Sequence, residues 1–452
     1  MEKIFNVFYS KKYDKRKPDI AFFDIDKRVK MDNIYVSRFM FNTLKILSKD
    51  FNVFVFNLGN NKKAAQPIID MYNELNYVFM DDKYINIFKK ADSENCVQMN
   101  IDNIKNIVKK ELNIFNDLRA VFIRPTVLYV TTGNNEDFDC IKTGEQLEKA
   151  NDLMKQLNDD IENKKMYAYT MFMTRQIRIM HDVIENIINM HNPKVYQFIY
   201  DPAHYCNYFN KKYNAKTYYF ENDFRGNREF NQFPIGQLNY LYNYEKPETI
   251  KFGNKENNFI WGGIVLYAKG DRINNWFTFL KDFYYKNSVL HVSNNNSINK
   301  KGGNQSKSLL NHPRYKETID TIKNHPLNQG ILPNNEFEQK LKNYKYTFIQ
   351  KCVSINDSLN FRIYYSLLYD IIPFIDENYD IDNLQIPKEF KDILSVSNHN
   401  DIINKIDYFE KNPKEAEKTL NDMKKYFLNE KYSQEEYYYN EFKNNYFKEI
   451  YK

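Results

Sequence analysis

The sequence predicts an α/β fold built from two Rossmann-like halves. Three observations carry this. The chain has 452 residues, more than one hydrophobic core ordinarily serves. Short apolar runs alternate with amphipathic stretches, the rhythm of strand, helix and parallel strand. That rhythm stops across residues 221–257, which hold Gly226, Pro234 and Gly236, and then restarts.

In the first half, Asp19–Ile25 (DIAFFDI) reads as a buried strand. In the segment that follows, Val36, Phe39, Met40, Leu44 and Leu47 recur at helical spacing. Phe51–Asn57 is the next strand, closing a βαβ unit and implying a parallel sheet. Further strands are expected at Leu118–Ile123, Lys194–Tyr200 and Ala215–Phe220, with 144–191 mostly helical. The joint is placed at Glu245–Asn257.

The second half restarts with a strand at Asn258–Trp261, followed by Gly262-Gly263 and a helix over Asp271–Tyr285. A strand at Ser288–Val292 leads to the polar loop 293–308. Helix Glu336–Tyr344, strand Tyr346–Gln350, helix Ser358–Tyr369 and strand Ile371–Ile375 continue the alternation. In the tail, Tyr438, Phe442, Tyr446 and Ile450 recur every four residues, an amphipathic helix. The expected domains are 1–245, 246–430 and a C-terminal helix, 431–452, that packs back on the first. Two such halves place a cleft between the carboxyl ends of their strands, where open parallel sheets bind ligands.

Composition narrows the classes. With 42% hydrophobic and 16% aromatic residues the chain has the material for cores, which argues against disorder. The net charge of +6 permits an anionic ligand without demanding nucleic acid. The four cysteines, Cys96, Cys140, Cys206 and Cys352, form no CxxC pair, which argues against a disulfide framework or structural zinc and fits a reducing, cytoplasmic compartment. No segment has the length of a signal peptide's apolar region or of a membrane span. Oligomeric state is not legible.

The most informative stretch is Asp357–Asp376, DSLNFRIYYSLLYDIIPFID. A polar loop leads into a helix whose first turn would carry Ser358, Asn360 and Arg362. Backbone N–H groups at a helix start, with an Arg fork beside them, suit a diphosphate. This stretch resembles the donor-binding segment of glycosyltransferases of the B-type (GT-B) fold. It keeps Arg362, the run Ser366-Leu367-Leu368 and Ile372-Pro373, and departs at Tyr365, where the family's ribose-holding Glu stands, and at Asp370, in place of its usual Gly. Trp261-Gly262-Gly263 with Lys269, Gly270 and Arg272 resembles the glycine turn and basic residue that open the family's donor domain. The motifs cover about residues 258–400.

The resemblance implies a hexosyl- or pentosyltransferase that takes a nucleotide sugar, a UDP-sugar foremost, as substrate. It implies no bound metal and no tightly held cofactor. The donor set is Gly262, Gly263, Arg272, Ser358, Asn360, Arg362 and Tyr365, the last read first as a core or cleft-wall ring. A base for an inverting reaction is expected at Asp24 or at Asp201, with Asp26 and His204 beside them. Asp24-Ile25-Asp26 spells DxD but sits in the chain's first strand, so a metal role is not read into it.

Two acceptors fit. One is implied by a resemblance to the tailed-phage glycosyltransferases that add sugars to modified DNA bases: a hydroxymethylated base in phage double-stranded DNA, with Lys300, Lys301 and Lys307, and the pairs Lys62-Lys63 and Lys164-Lys165, on phosphates. The other is a surface-polysaccharide intermediate. Two other classes stay open: a non-catalytic nucleotide-binding scaffold, and an ATP-dependent ligase, since LRAVFIRP with Arg124 resembles an ATP-grasp opening.

Overall fold

The structure is a computed structural model. It describes residues 5–24, 34–57, 62–81, 113–124, 183–199, 212–219, 246–263, 271–292, 312–350, 362–378 and 387–452, with short pieces at 209, 223–224, 231–232, 241–242, 265 and 358–359. The chain divides into two compact units, residues 1–220 with 434–452, and residues 221–433. The joint read at Glu245–Asn257 lies inside the second unit. There Asp223–Phe224 pairs antiparallel with Ser358–Leu359, both within that unit.

The first unit carries β1 (Phe5–Phe8), β2 (Asp19–Asp24), α1 (Ile34–Leu47), β3 (Asn52–Asn57), α2 (Lys62–Met71), β4 (Asn76–Met80), β5 (Leu118–Arg124), β6 (Lys194–Ile199) and β7 (Lys216–Tyr219). Their order in the sheet is β1-β4-β3-β2-β5-β6-β7. All neighbours are parallel except β1, which runs antiparallel to β4. From β2 the chain winds outward through β3 and β4, then returns to β5 and winds the other way. That is the doubly wound order, with its switch point between β2 and β5.

The strands read as continuous apolar runs because both faces are covered. Ile20, Phe22, Phe23, Val53, Phe54, Val121 and Phe122 are all buried. At the opposite end, buried Asp19 accepts from the Asn52 amide at 2.9 Å and from the Asn116 backbone N–H at 2.7 Å. Burial raises its pKa, while these hydrogen bonds act to lower it.

The C-terminal residues pack on this unit. Lys49 pairs with Glu435 at 2.7 Å, the Tyr218 hydroxyl donates to the Tyr446 carbonyl at 2.5 Å, and the Phe51 and Tyr451 rings meet edge to face. The tail departs from a plain helix. Helix Glu435–Glu441 continues into a wider turn, Phe442–Tyr446, closed by Phe447 N–H to the Phe442 carbonyl at 2.8 Å. One extra residue per turn rotates the apolar stripe. Tyr438, Phe442 and Ile450 are buried as their spacing predicts, but Phe447 takes the interior place expected for Tyr446, which is half-buried.

In the second unit, β8 (Asn257–Gly263), β9 (Val289–Val292), β10 (Tyr344–Ile349), β11 (Ile372–Asp376) and β12 (Ser395–Val396) form a parallel sheet. The order is β9-β8-β10-β11-β12. Its switch point lies between β8 and β10. The connections include α3 (Asp271–Asn275, running on to Leu280 through a wide turn), α4 (Tyr315–Asn324), α5 (Asn334–Leu341) and α6 (Arg362–Leu368). Trp276, Phe279, Leu290, Phe348, Leu367 and Phe374 anchor the core.

Candidate functional site

The carboxyl ends of β8, β9 and β10 bring one group of residues together. Gly262 lies near the end of β8 and is in register with His291 on β9. Paired residues on neighbouring strands share a face. Phe337, from the middle of α5, packs onto that face. A Cβ at Gly262 would stand 2.6 Å from the Phe337 ring, so only glycine leaves the ring its place. The same ring meets the His291 imidazole edge to face, with centroids 6.0 Å apart. At Gly263 a Cβ would meet the Trp261 indole at 2.7 Å. The glycine pair is therefore enforced by two aromatic rings, one on each face of the strand.

Arg362 joins this group from α6. Its Nη1 donates to the Gly262 carbonyl at 3.3 Å. The side chain is half-buried and reaches across from the crossover after β10 to the end of β8, spanning the switch point of the sheet. One turn on, Tyr365 packs edge to face on Tyr369, with centroids 5.2 Å apart, and lies against Ile260, Val289, Leu341 and Ile371. Tyr365 is thus part of the wall behind Arg362.

The helix starts later than its sequence suggests. Ser358 lies in the two-residue strand Ser358–Leu359, where pairing with Asp223–Phe224 takes up its backbone, and Arg362 is the first helical residue. Ser358 therefore does not share the helix's first turn with Arg362. At the other end, Asp370 has a φ of 55°. The Ile371 N–H bonds the Ser366 carbonyl at 2.9 Å and the Asp370 N–H bonds the Leu367 carbonyl at 3.2 Å, which closes a left-handed cap. Asp tolerates this conformation better than most residues do. Its carboxylate is also engaged, pairing with Lys424 and accepting from the Thr249 hydroxyl at 3.3 Å.

His291 was not expected from the sequence. Its ring is 1% exposed. Nδ1 lies 2.9 Å from the Gly330 carbonyl, which can only accept, so Nδ1 carries the proton and Nε2 the lone pair. Among the described residues Nε2 has no hydrogen-bond partner. Burial lowers the imidazole pKa, the Gly330 bond opposes this, and nearby Lys340 lowers it further. The ring is therefore neutral at pH 7.

Of the remaining candidates, Arg272 is the second residue of α3 and half-buried. Asp24 closes β2, in register with Arg124 at the end of β5, so the two flank the first sheet's switch point. Arg124 is buried there. Lys62 and Lys63 open α2. Asp26, Asp201, His204, Asn360, Lys164, Lys165, Lys300, Lys301 and Lys307 lie outside the described residues. Among the described residues no three His, Cys, Asp or Glu side chains gather as metal ligands, and no helix is long and apolar enough to cross a membrane.

No family model matches the sequence, and no curated protein matches it. Solved structures align over most of the chain at low similarity. One described as an apo structure of OtsA is 8% identical and covers 93% of this chain and 97% of its own, with a TM-score of 0.41. An E. coli structure described as trehalose-6-phosphate bound with UDP-2-fluoro glucose is 9% identical and covers 90% and 99%, with a TM-score of 0.37. An α,α-trehalose 6-phosphate synthase from Burkholderia multivorans is 8% identical and covers 90% and 99%, with a TM-score of 0.33. The fold class rests on the strand orders. This is an α/β protein of two doubly wound units. At such identities and scores the alignments carry no argument about activity.

Proposed function

We propose that the chain is a nucleotide-sugar glycosyltransferase whose donor is held by the unit 221–433. The observation that carries this is the Arg362 guanidinium set on the Gly262 carbonyl, at the carboxyl end of β8 and at the sheet's switch point. Open α/β sheets bind their ligands beyond the carboxyl ends of the strands, at the switch point. The Arg fork adds charge-assisted hydrogen bonds to phosphate oxygens.

In the proposed reaction, an acceptor hydroxyl attacks the anomeric carbon of the sugar. The bond from that carbon to the diphosphate oxygen breaks, and the nucleoside diphosphate leaves with the electron pair. Arg362, with Arg272 as a second cation, stabilises the charge that develops on the leaving oxygen. If configuration inverts, Asp24 or Asp201 takes the hydroxyl proton. Gly263, Ser358, Asn360 and Tyr365 complete the donor set. A UDP-sugar is the first donor to test. The acceptor is either a hydroxymethylated base in duplex DNA, with Lys300, Lys301 and Lys307 on its phosphates, or a surface-glycan intermediate.

The test is release of nucleoside diphosphate from UDP-glucose and other sugar nucleotides, with hydroxymethylcytosine DNA or a lipid-linked glycan added in separate arms. Acceptor-dependent release, lost in Arg362→Ala, is the expected result. No binding of any sugar nucleotide or nucleoside diphosphate would remove the proposal.

A further inference from the structure

The sheet of the second unit places His291 where a nucleotide-binding fold needs a hydrogen-bond acceptor. In doubly wound sheets the first strand ends in the glycine turn that meets the diphosphate. The second strand then ends in a side chain that accepts a hydrogen bond from the ribose 2′-hydroxyl, usually Asp or Glu. Here β8 is the first strand and ends in Gly262-Gly263. Next in sequence and beside it in the sheet is β9, with His291 near its carboxyl end and in register with Gly262.

We propose that His291 is the ribose reader of this site, accepting the 2′-hydroxyl of the bound nucleotide on Nε2. This rests on the nucleotide-binding reading of the unit and goes beyond it, by naming which hydroxyl is recognised and by which atom.

Three observations support it. The Gly330 carbonyl fixes the tautomer, so Nε2 presents a lone pair and not a proton. That atom is buried and, among the described residues, has no hydrogen-bond partner, although a buried polar atom ordinarily has one. Burial and Lys340 keep the ring neutral, so the acceptor persists at physiological pH. The half-buried Phe337 ring packs on both Gly262 and His291, so a nucleotide can reach Nε2 only if that ring turns aside.

Titration calorimetry with paired nucleotides tests this on the full-length chain: UDP against 2′-deoxy-UDP, with the ADP and GDP pairs alongside. The wild type is expected to bind the ribonucleotide about tenfold more tightly, the worth of one hydrogen bond to an otherwise unsatisfied buried acceptor. His291→Phe should bind both members of the pair equally. His291→Gln, whose carboxamide oxygen reaches the Nε2 position, should keep most of the preference and stands in if the Phe variant does not fold. Equal affinity of the wild type for the two members of a pair overturns the His291 assignment while leaving the nucleotide site standing. So does an undiminished preference in His291→Phe. Failure of all three pairs to bind removes both readings together.

Discussion

At the scale of single residues, the candidate site rests on what glycine lacks and what arginine adds. Gly262→Ala pushes a methyl into the Phe337 ring and should cost about 1–3 kcal/mol of stability, measured by chemical denaturation. Phe337→Leu in the same chain should recover most of that loss; no recovery would mean that the ring is not the obstacle. Arg362→Ala should weaken nucleoside diphosphate binding by at least about tenfold, with little change in melting temperature, because the side chain is half-buried. Arg362 was legible as a candidate because a cation near a helix start has a recognisable chemistry. His291 was not, because a histidine within an apolar strand reads as packing. Only the structure shows that one nitrogen is committed to Gly330 and the other is not.

Lys255 gives a test remote from the site. Its Nζ donates to the Tyr344 and Tyr369 carbonyls, at 2.9 and 2.5 Å, and burial lowers its pKa to about 7; Asp370 opposes the shift and Lys424 adds to it. The unfolded chain holds this proton up to about pH 10.5, so between pH 7 and 10 it binds more protons than the folded chain does. This lysine's contribution to stability should therefore rise with pH across that window. Melting curves at pH 6.5 and 9 should differ by roughly 2–4 °C more in the wild type than in Lys255→Met. An equal difference would show that Lys255 stays charged.

At the scale of elements, apolar runs located most of the central strands because those strands are covered on both faces, as with Phe22, Val53 and Val121. Edge and short elements were missed. β1 is a half-buried edge strand and β12 has two residues, too few for a periodicity to show. The helix holding Arg362 was drawn too long, because a polar run before a helix does not reveal that two of its residues pair with a segment far away in sequence. The C-terminal helix shows the same limit. A four-residue spacing assumes a regular helix, and the wide turn at Phe442–Tyr446 exchanges Tyr446 for Phe447. Phe447→Ala should cost about 3–5 kcal/mol, and Tyr446→Ala distinctly less. Equal costs, read from denaturant midpoints, would contradict the rotated stripe.

At the scale of the whole molecule, two doubly wound sheets place Asp24 and Arg124 at one switch point, and Gly262 and Arg362 at the other. This much follows from the alternation of strands and helices, since handedness and strand order leave few topologies. The division at 220/221 falls where the alternation stops, at the start of the stretch 221–257 and upstream of the joint read at Glu245–Asn257. The central claim is that the second unit grips a nucleoside diphosphate through Gly262 and Arg362. Titration calorimetry of the wild type and Arg362→Ala with UDP and UDP-glucose tests it most directly. The predicted result is saturable one-site binding that the variant loses while remaining folded. Equal affinity in the two proteins, or no binding by the wild type to any nucleoside diphosphate, would contradict it.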